Sequence, residues 1–297
     1  MEIGSFIEMQ FPKGKEYYNQ SVDIARLNTG RSAIWHAFRV SGVKAIWIPY
    51  YQCDTVRELL LKHSAKVKFY HTDNDWNPTD LDAKKDEAVL FVNYYGIMSH
   101  KRMSELASLS EHPIIDNCQG FFCEPVAGAL NIYSCRKFVG VPDGSYVIGK
   151  GAHKYVGEYP QCYSSDTAAF LLMRIEYGCE GKGYEARHIN EQRIDTEDIM
   201  KMSKLTRTIL DGTDYEQIKQ KRRDNFDYMH NRLGGINKIN PKQYYNETTI
   251  PMVYPLVVED DGLIQRLFKA RHFQGTGGAI SVMNNPKVAS SIGFHDM

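Results

Sequence analysis

Residues 87–96 read EAVLFVNYYG. From Ala88 to Val92 every side chain is apolar, and nothing alternates. An unbroken apolar run of this length, ending on polar Asn93 and followed by Gly96, is the pattern of a strand buried on both faces of a parallel sheet. The flanking segments agree with that reading. KAIWIPYY (44–51) and KVKFYHT (66–72) have strand character, and between them DTVRELLLKHSA (54–65) reads as a helix. Asp54 is its expected cap, with Val56, Leu59 and Leu60 on one face. Upstream, NTGRSAIWHAF (28–38) opens a helix that Asn28 or Thr29 can cap, with Ile34, Ala37 and Phe38 together on one side. Downstream come a helix over 99–111 with Met103, Leu106 and Ala107 inward, then short strands at PIID (113–116), ALNIYS (129–134) and GSYVIG (144–149).

Strands alternating with amphipathic helices predict an α/β fold with a mainly parallel central sheet and helices on both faces. Beyond about Gly157 the pattern changes. Residues 165–210 are helical but polar, with a glycine-rich break at 178–183. Residues 214–233 read as one long helix, 250–260 as strand-like and 262–273 as helical. The expected organisation is a large domain over 1–210 and a smaller α+β C-terminal domain over 211–297. From His272 onward the sequence has little periodicity, so that domain is expected to be truncated or altered at its end.

Composition narrows the function classes. Among 297 residues, 36 Lys and Arg balance 36 Asp and Glu, so no overall basic field points to nucleic acid or an anionic membrane. The one basic run, KQKRR at 219–223, reads as a solvated helix face. The N-terminus lacks the pattern of a signal peptide, and no apolar run is long enough to span a bilayer. Cysteines at 53, 118, 123, 135, 162 and 179 form no C-x-x-C pair and read as reduced thiols of a cytoplasmic protein. The ten histidines show no metal-binding spacing, so no metal is expected. No G-x-G-x-x-G or G-x-S-x-G motif supports a dehydrogenase or a hydrolase.

Chemistry-bearing residues gather at strand ends. Asp116 ends the apolar PIID strand and is followed by Gln119 and two phenylalanines. One reading is a turn or cap aspartate. The other is an anion held against a heterocyclic cation, as where a carboxylate keeps the pyridinium of pyridoxal 5'-phosphate (PLP) protonated. PLP also needs a lysine and a phosphate cradle, often a helix N-terminus. Lys137 follows the NIYS strand, and the NTGRSA turn opens the first helix. Alone, each is an ordinary loop lysine or an ordinary capped helix.

In order, TGRSA, IPYYQC, VNYYG, IIDNCQG and YSCRKF…PDGS resemble the fold-type I PLP aminotransferases, and within them the DegT/DnrJ/StrS nucleotide-sugar aminotransferase family. The resemblance covers about residues 20–150. It implies that Lys137 forms the Schiff base with PLP and acts as the catalytic base. It implies that Gly30, Arg31 and Ser134 hold the phosphate, and that Asp116 and Gln119 contact the pyridine nitrogen and the ring-hydroxyl side. The ring-stacking place falls on Cys53, with Tyr51 as the alternative. The family's segment that lends an asparagine to a partner subunit appears here only as GYEAR (183–187). The implied activity is transfer of an amino group from an amino acid donor to a keto sugar, nucleotide-linked, in a homodimer. A PLP-fold protein that binds or regulates without catalysis, or another PLP-dependent reaction on a sugar, are the alternatives.

Overall fold

A computed structural model describes residues 7–19, 23–178, 181–258 and 280–282. β1 (Ile24–Leu27) leads into α1 (Gly30–Ser41), and β2 (Ala45–Pro49) into α2 (Asp54–Lys62). β3 (Lys66–Tyr70), β4 (Glu87–Val92), α3 (His100–Ala107), β5 (His112–Asn117), β6 (Leu130–Ser134) and β7 (Ser145–Ile148) follow. The seven strands lie in the order β1-β7-β6-β5-β4-β2-β3. β2 to β6 pair in parallel, whereas β7 is antiparallel to both β6 and β1. The mainly parallel sheet expected from the sequence is therefore present, with one reversed strand whose entry is a hairpin loop, residues 135–144.

The apolar run that began the reading is β4, and all six of its residues are buried. Ala88 and Leu90 face a core layer with Ile34, Ala37 and Leu60 of α1 and α2. Val89 and Phe91 face the opposite layer with Met103 and Leu106 of α3. Period-two alternation thus supplies both faces, and a side chain such as Leu90, fully buried, contributes about 1.5–3 kcal/mol. Thr29 caps α1, accepting from the Ser32 N–H, and Gly42 ends the helix at φ 73°. At α2 the expectation is corrected: the cap position is Cys53, and Asp54 is the first helical residue. There its carboxylate favours the helix N-terminus and pairs with Arg57 one turn on.

The later part holds α4 (Ala169–Tyr177), α5 (Lys182–Thr196), α6 (Lys204–Asp211), α7 (Tyr215–Leu233) and β8 (Tyr254–Leu256), which pairs in parallel with β9 (Ile280–Val282). Residue 210, where the sequence leads one to expect a boundary, lies within α6. Phe226, Met229 and Leu233 of α7 pack with Tyr254 and Leu256 into the same layer as Val89 and Phe91. The helix expected over 262–273 lies outside the described residues, as does most of 272–297. The basic run 219–223 is not simply a solvated face. Spacing of three and four residues puts Lys219, Arg222 and Phe226 on the side of α7 that packs inward: Lys219 lies over the Tyr17 ring and Arg222 over Phe138, while Lys221 stays exposed.

Candidate active site

Parallel strands carry their C-terminal ends to one rim. β1 opposes β7, which opposes β6, so β1 also points to that rim and delivers α1 there. The order of the sheet reverses between β2 and β4, where open α/β sheets place their ligands. The residues after β2, β4, β5 and β6 are therefore neighbours in space.

Asp116, near the end of β5, is 5% exposed. Its Oδ1 accepts from the Cys118 N–H (2.9 Å) and its Oδ2 from the Gln52 amide (3.1 Å). Gln52 is held in register because its own carbonyl accepts from the Cys53 N–H at 2.8 Å. Among the described residues no cation pairs with Asp116. A carboxylate this buried, satisfied only by neutral donors, is an unusual arrangement in a protein interior.

The loops after β4 and β5 interlock. Asn93, fully buried, donates to Asn117 (3.0 Å) and accepts from the Met98 N–H (3.1 Å). The Gln119 side-chain carbonyl accepts from the Tyr95 N–H at 2.9 Å, and its NH₂ has no hydrogen-bond partner among the described residues. Tyr95 has φ 61°, a left-handed backbone that costs a bulky residue of order 1–3 kcal/mol. The bond its N–H donates to Gln119 and the bond its carbonyl accepts from the Met252 N–H (2.8 Å) hold it there. At Gly96 only glycine fits, since a Cβ would come within 1.9 Å of the Gln119 carbonyl oxygen.

The opening of α1 meets the same rim. A Cβ on Gly30 would stand 2.7 Å from the Cys118 sulfur and 3.9 Å from the Ser134 Cβ, so the helix N-terminus, Cys118 and Ser134 converge. Thr29 satisfies the Ser32 N–H, and the amides of Gly30 and Arg31 have no partner among the described residues. The Arg31 guanidinium turns away: it donates to the Ile194 and Glu197 carbonyls and pairs with Asp195, fastening α1 to the end of α5. Burial pulls its pKa down while Asp195 acts against that.

Lys137 is exposed in the turn after β6. The Phe138 and Val139 N–H groups close that turn on the Cys135 carbonyl (3.0 and 2.9 Å), and the Arg222 guanidinium donates to the Lys137 carbonyl at 2.9 Å. Burial pushes the Cys118 thiol well above its usual range; the Asp116 charge adds to the shift and the Lys137 charge opposes it. Cys53 is exposed, with its sulfur 3.1 Å from the Thr55 hydroxyl. Tyr51 lies instead in an aromatic cluster, its ring 5.2 Å from Tyr94 and its hydroxyl 3.1 Å from that of Tyr95. From the YYQC stretch, the side chain that reaches Asp116 is Gln52, which sequence reasoning passed over. GYEAR lies inside α5, where Gly183 permits close packing on the Gly178 carbonyl.

Among the described residues, no group of three His, Cys, Asp or Glu side chains is arranged to hold a metal ion, and no helix is long and apolar enough to cross a membrane. No protein-family model matches the sequence, and no curated protein matches it. Solved structures do. The sugar aminotransferase CalS13 from Micromonospora echinospora aligns at TM-score 0.54 and 15% identity, over 84% of this chain and 72% of that one. A DegT DnrJ EryC1 StrS aminotransferase from Brucella abortus aligns at TM-score 0.54 and 16% identity, over 93% and 80%. DesV from S. venezuelae aligns at TM-score 0.50 and 17% identity, over 84% and 67%. These alignments show that the chain has the fold of the DegT/DnrJ/EryC1/StrS aminotransferases.

Proposed function

We propose that this protein is a PLP-dependent aminotransferase that moves an amino group from an amino acid donor to a keto sugar, nucleotide-linked. The observation that carries the reading is Asp116: a buried carboxylate that no cation among the described residues pairs with, on the rim that also presents the open N-terminus of α1 and the Lys137 turn. Those residues fit the cofactor's three demands. An acceptor such as Asp116 suits a pyridinium N–H, a helix N-terminus beside a serine suits a phosphate, and an exposed lysine suits an aldehyde. When bound, PLP supplies an electron-withdrawing ring that stabilises negative charge on the substrate carbon.

In this reading Asp116 holds the proton at the ring nitrogen. The backbone amides of Gly30 and Arg31 and the hydroxyl of Ser134 bind the phosphate, and the Arg31 side chain contributes only by fixing the helix. Gln119, its carbonyl occupied by Tyr95, directs its NH₂ to the ring-hydroxyl side. Gln52, bonded to Asp116, and its neighbour Cys53 would lie beside the cofactor. Lys137 would hold the cofactor's aldehyde and would move the proton at the donor's α-carbon as general base.

The sugar acceptor is supported by the likeness to a structure described as a sugar aminotransferase; the nucleotide link rests on the sequence resemblance. A homodimer is supported by the α4–α5 pair, which exposes Leu172, Ile175, Tyr184 and Ile189. A cytoplasmic location is supported by the free thiols. The test is incubation with PLP, borohydride reduction and peptide mapping. The pyridoxyl group is expected on Lys137; a label on another lysine, or none, overturns the reading.

A further inference from the structure

One hydrogen-bonded circuit joins the Asp116 loop to Lys137 through the chain beyond residue 210. Gln119 accepts from the Tyr95 N–H (2.9 Å), Tyr95 accepts from the Met252 N–H (2.8 Å), and Met252 accepts from Arg222 (2.6 Å). The other arm of the same guanidinium reaches the Lys137 carbonyl at 2.9 Å. Its face lies 5.0 Å from the centre of the Phe138 ring, beside the lysine. Among the described residues no carboxylate pairs with Arg222. Burial pulls its pKa down. A half-buried guanidinium without a counter-ion is costly as a mere structural filler, and its fork is suited to bridging two fixed carbonyls.

We propose that Arg222 is a positioning residue for Lys137, and that it sets the lysine turn in register with the Asp116 loop by way of Met252 and the strained Tyr95. The inference rests on the functional reading above, because it gives the Lys137 turn a geometry to keep. Arg222 touches no reacting atom in this scheme. It acts by fixing the main chain from which the Lys137 side chain extends, and displacements of about 1 Å at such a site can cost about 100-fold in rate.

The experiment compares wild type, Arg222→Met, Arg222→Lys and Met229→Ala, the last removing a buried α7 side chain outside the circuit. Two quantities are read at a temperature where all four are folded. The first is hydrogen exchange of the Phe138, Val139 and Tyr95 amides in the cofactor-free protein. The second is the rate at which PLP becomes fixed to Lys137 on borohydride quenching. Arg222→Met is expected to speed exchange at all three amides and to slow capture by about 10- to 100-fold. Arg222→Lys, which keeps one donor, is expected to recover part of both. Met229→Ala is expected to lower Tm without changing either.

If Arg222→Met behaves like Met229→Ala, Arg222 is structural only and the proposal is overturned. If wild type itself takes no label on Lys137, the functional reading fails, and the positioning role fails with it. A labelled wild type with an equally labelled Arg222→Met sinks the positioning role alone.

Discussion

Glu87 and Asp116 lie on adjacent strands of one sheet and are almost equally buried, at 7% and 5% exposure, yet their surroundings are opposite. Glu87 begins β4 at the N-terminal edge of the sheet. Lys68 donates to one oxygen, and the Trp47 indole (2.7 Å) and the Lys84 N–H (3.2 Å) donate to the other. Burial would push its carboxyl up, but the hydrogen bonds from Lys68 and Trp47 outweigh it and hold the group down at about 2. Asp116, at the other edge, has one amide on each oxygen and no cation among the described residues. One edge closes its charge internally and serves the fold. The other leaves a buried charge that no cation among the described residues meets, at the edge where open α/β sheets place their ligands.

Substitutions that keep shape and remove charge should separate the two edges. The largest effect is expected for Asp116→Asn. Turnover should fall by about 100- to 1,000-fold, the scale seen when a fixed electrostatic partner of the reacting system is lost. PLP retention and Tm should change little. Single-turnover conversion with an amino donor, read beside equilibrium dialysis of PLP, checks this; equal losses of binding and turnover would return Asp116 to a turn-capping role.

Glu87→Gln should do the reverse, lowering stability by about 1.5–3 kcal/mol with turnover unchanged below the unfolding transition. Because the folded carboxyl sits at about 2 against an ordinary 4.5, its contribution is complete above about pH 4.5 and fades as pH falls towards 2. Urea unfolding across that range should therefore show a shallower acid loss in Glu87→Gln than in wild type. Parallel curves would mean that Glu87 adds nothing to the pH dependence.

The smallest effect is expected for Gly30→Ala. The added methyl meets the Cys118 sulfur, a side-chain atom that can shift, so PLP binding should weaken by about tenfold, or about 1.4 kcal/mol. Adding Cys118→Ala should recover most of that. No recovery would place the phosphate elsewhere.

The fold was readable because its signals are local. β4 announces itself by an unbroken apolar run, α1 by Thr29 followed by Ile34, Ala37 and Phe38 on one face, and Asp116, Ser134 and Lys137 by their places at or after strand ends. What each polar group bonds to was not readable, because the partners are far apart in sequence. Gln52 reaches Asp116 across 64 positions, and Arg222 reaches Lys137 across 85. The charge run at 219–223 looked solvated because its composition hides which positions fall on the inward side of α7. The Arg31 side chain belongs to a helix end 163 positions away, a partner that no local pattern discloses.

The reversal of β7 has a consequence for how the lysine is carried. A parallel strand after β6 would require a long crossover that leaves the rim. The hairpin keeps residues 135–144 there and clamps both ends. The Cys135 N–H donates to the Gly144 carbonyl at 3.0 Å, and the fully buried Asp143 accepts from the Ser203 N–H (3.0 Å) and the Thr206 hydroxyl (2.8 Å). Lys137 therefore rides on a short lever with a fixed pivot at each end. Between the pivots the buried Val139, Val141 and Pro142 fasten the loop to the core, so a residue added or removed there would disturb that packing together with the reach of the lysine, and the length of this hairpin is held from both sides.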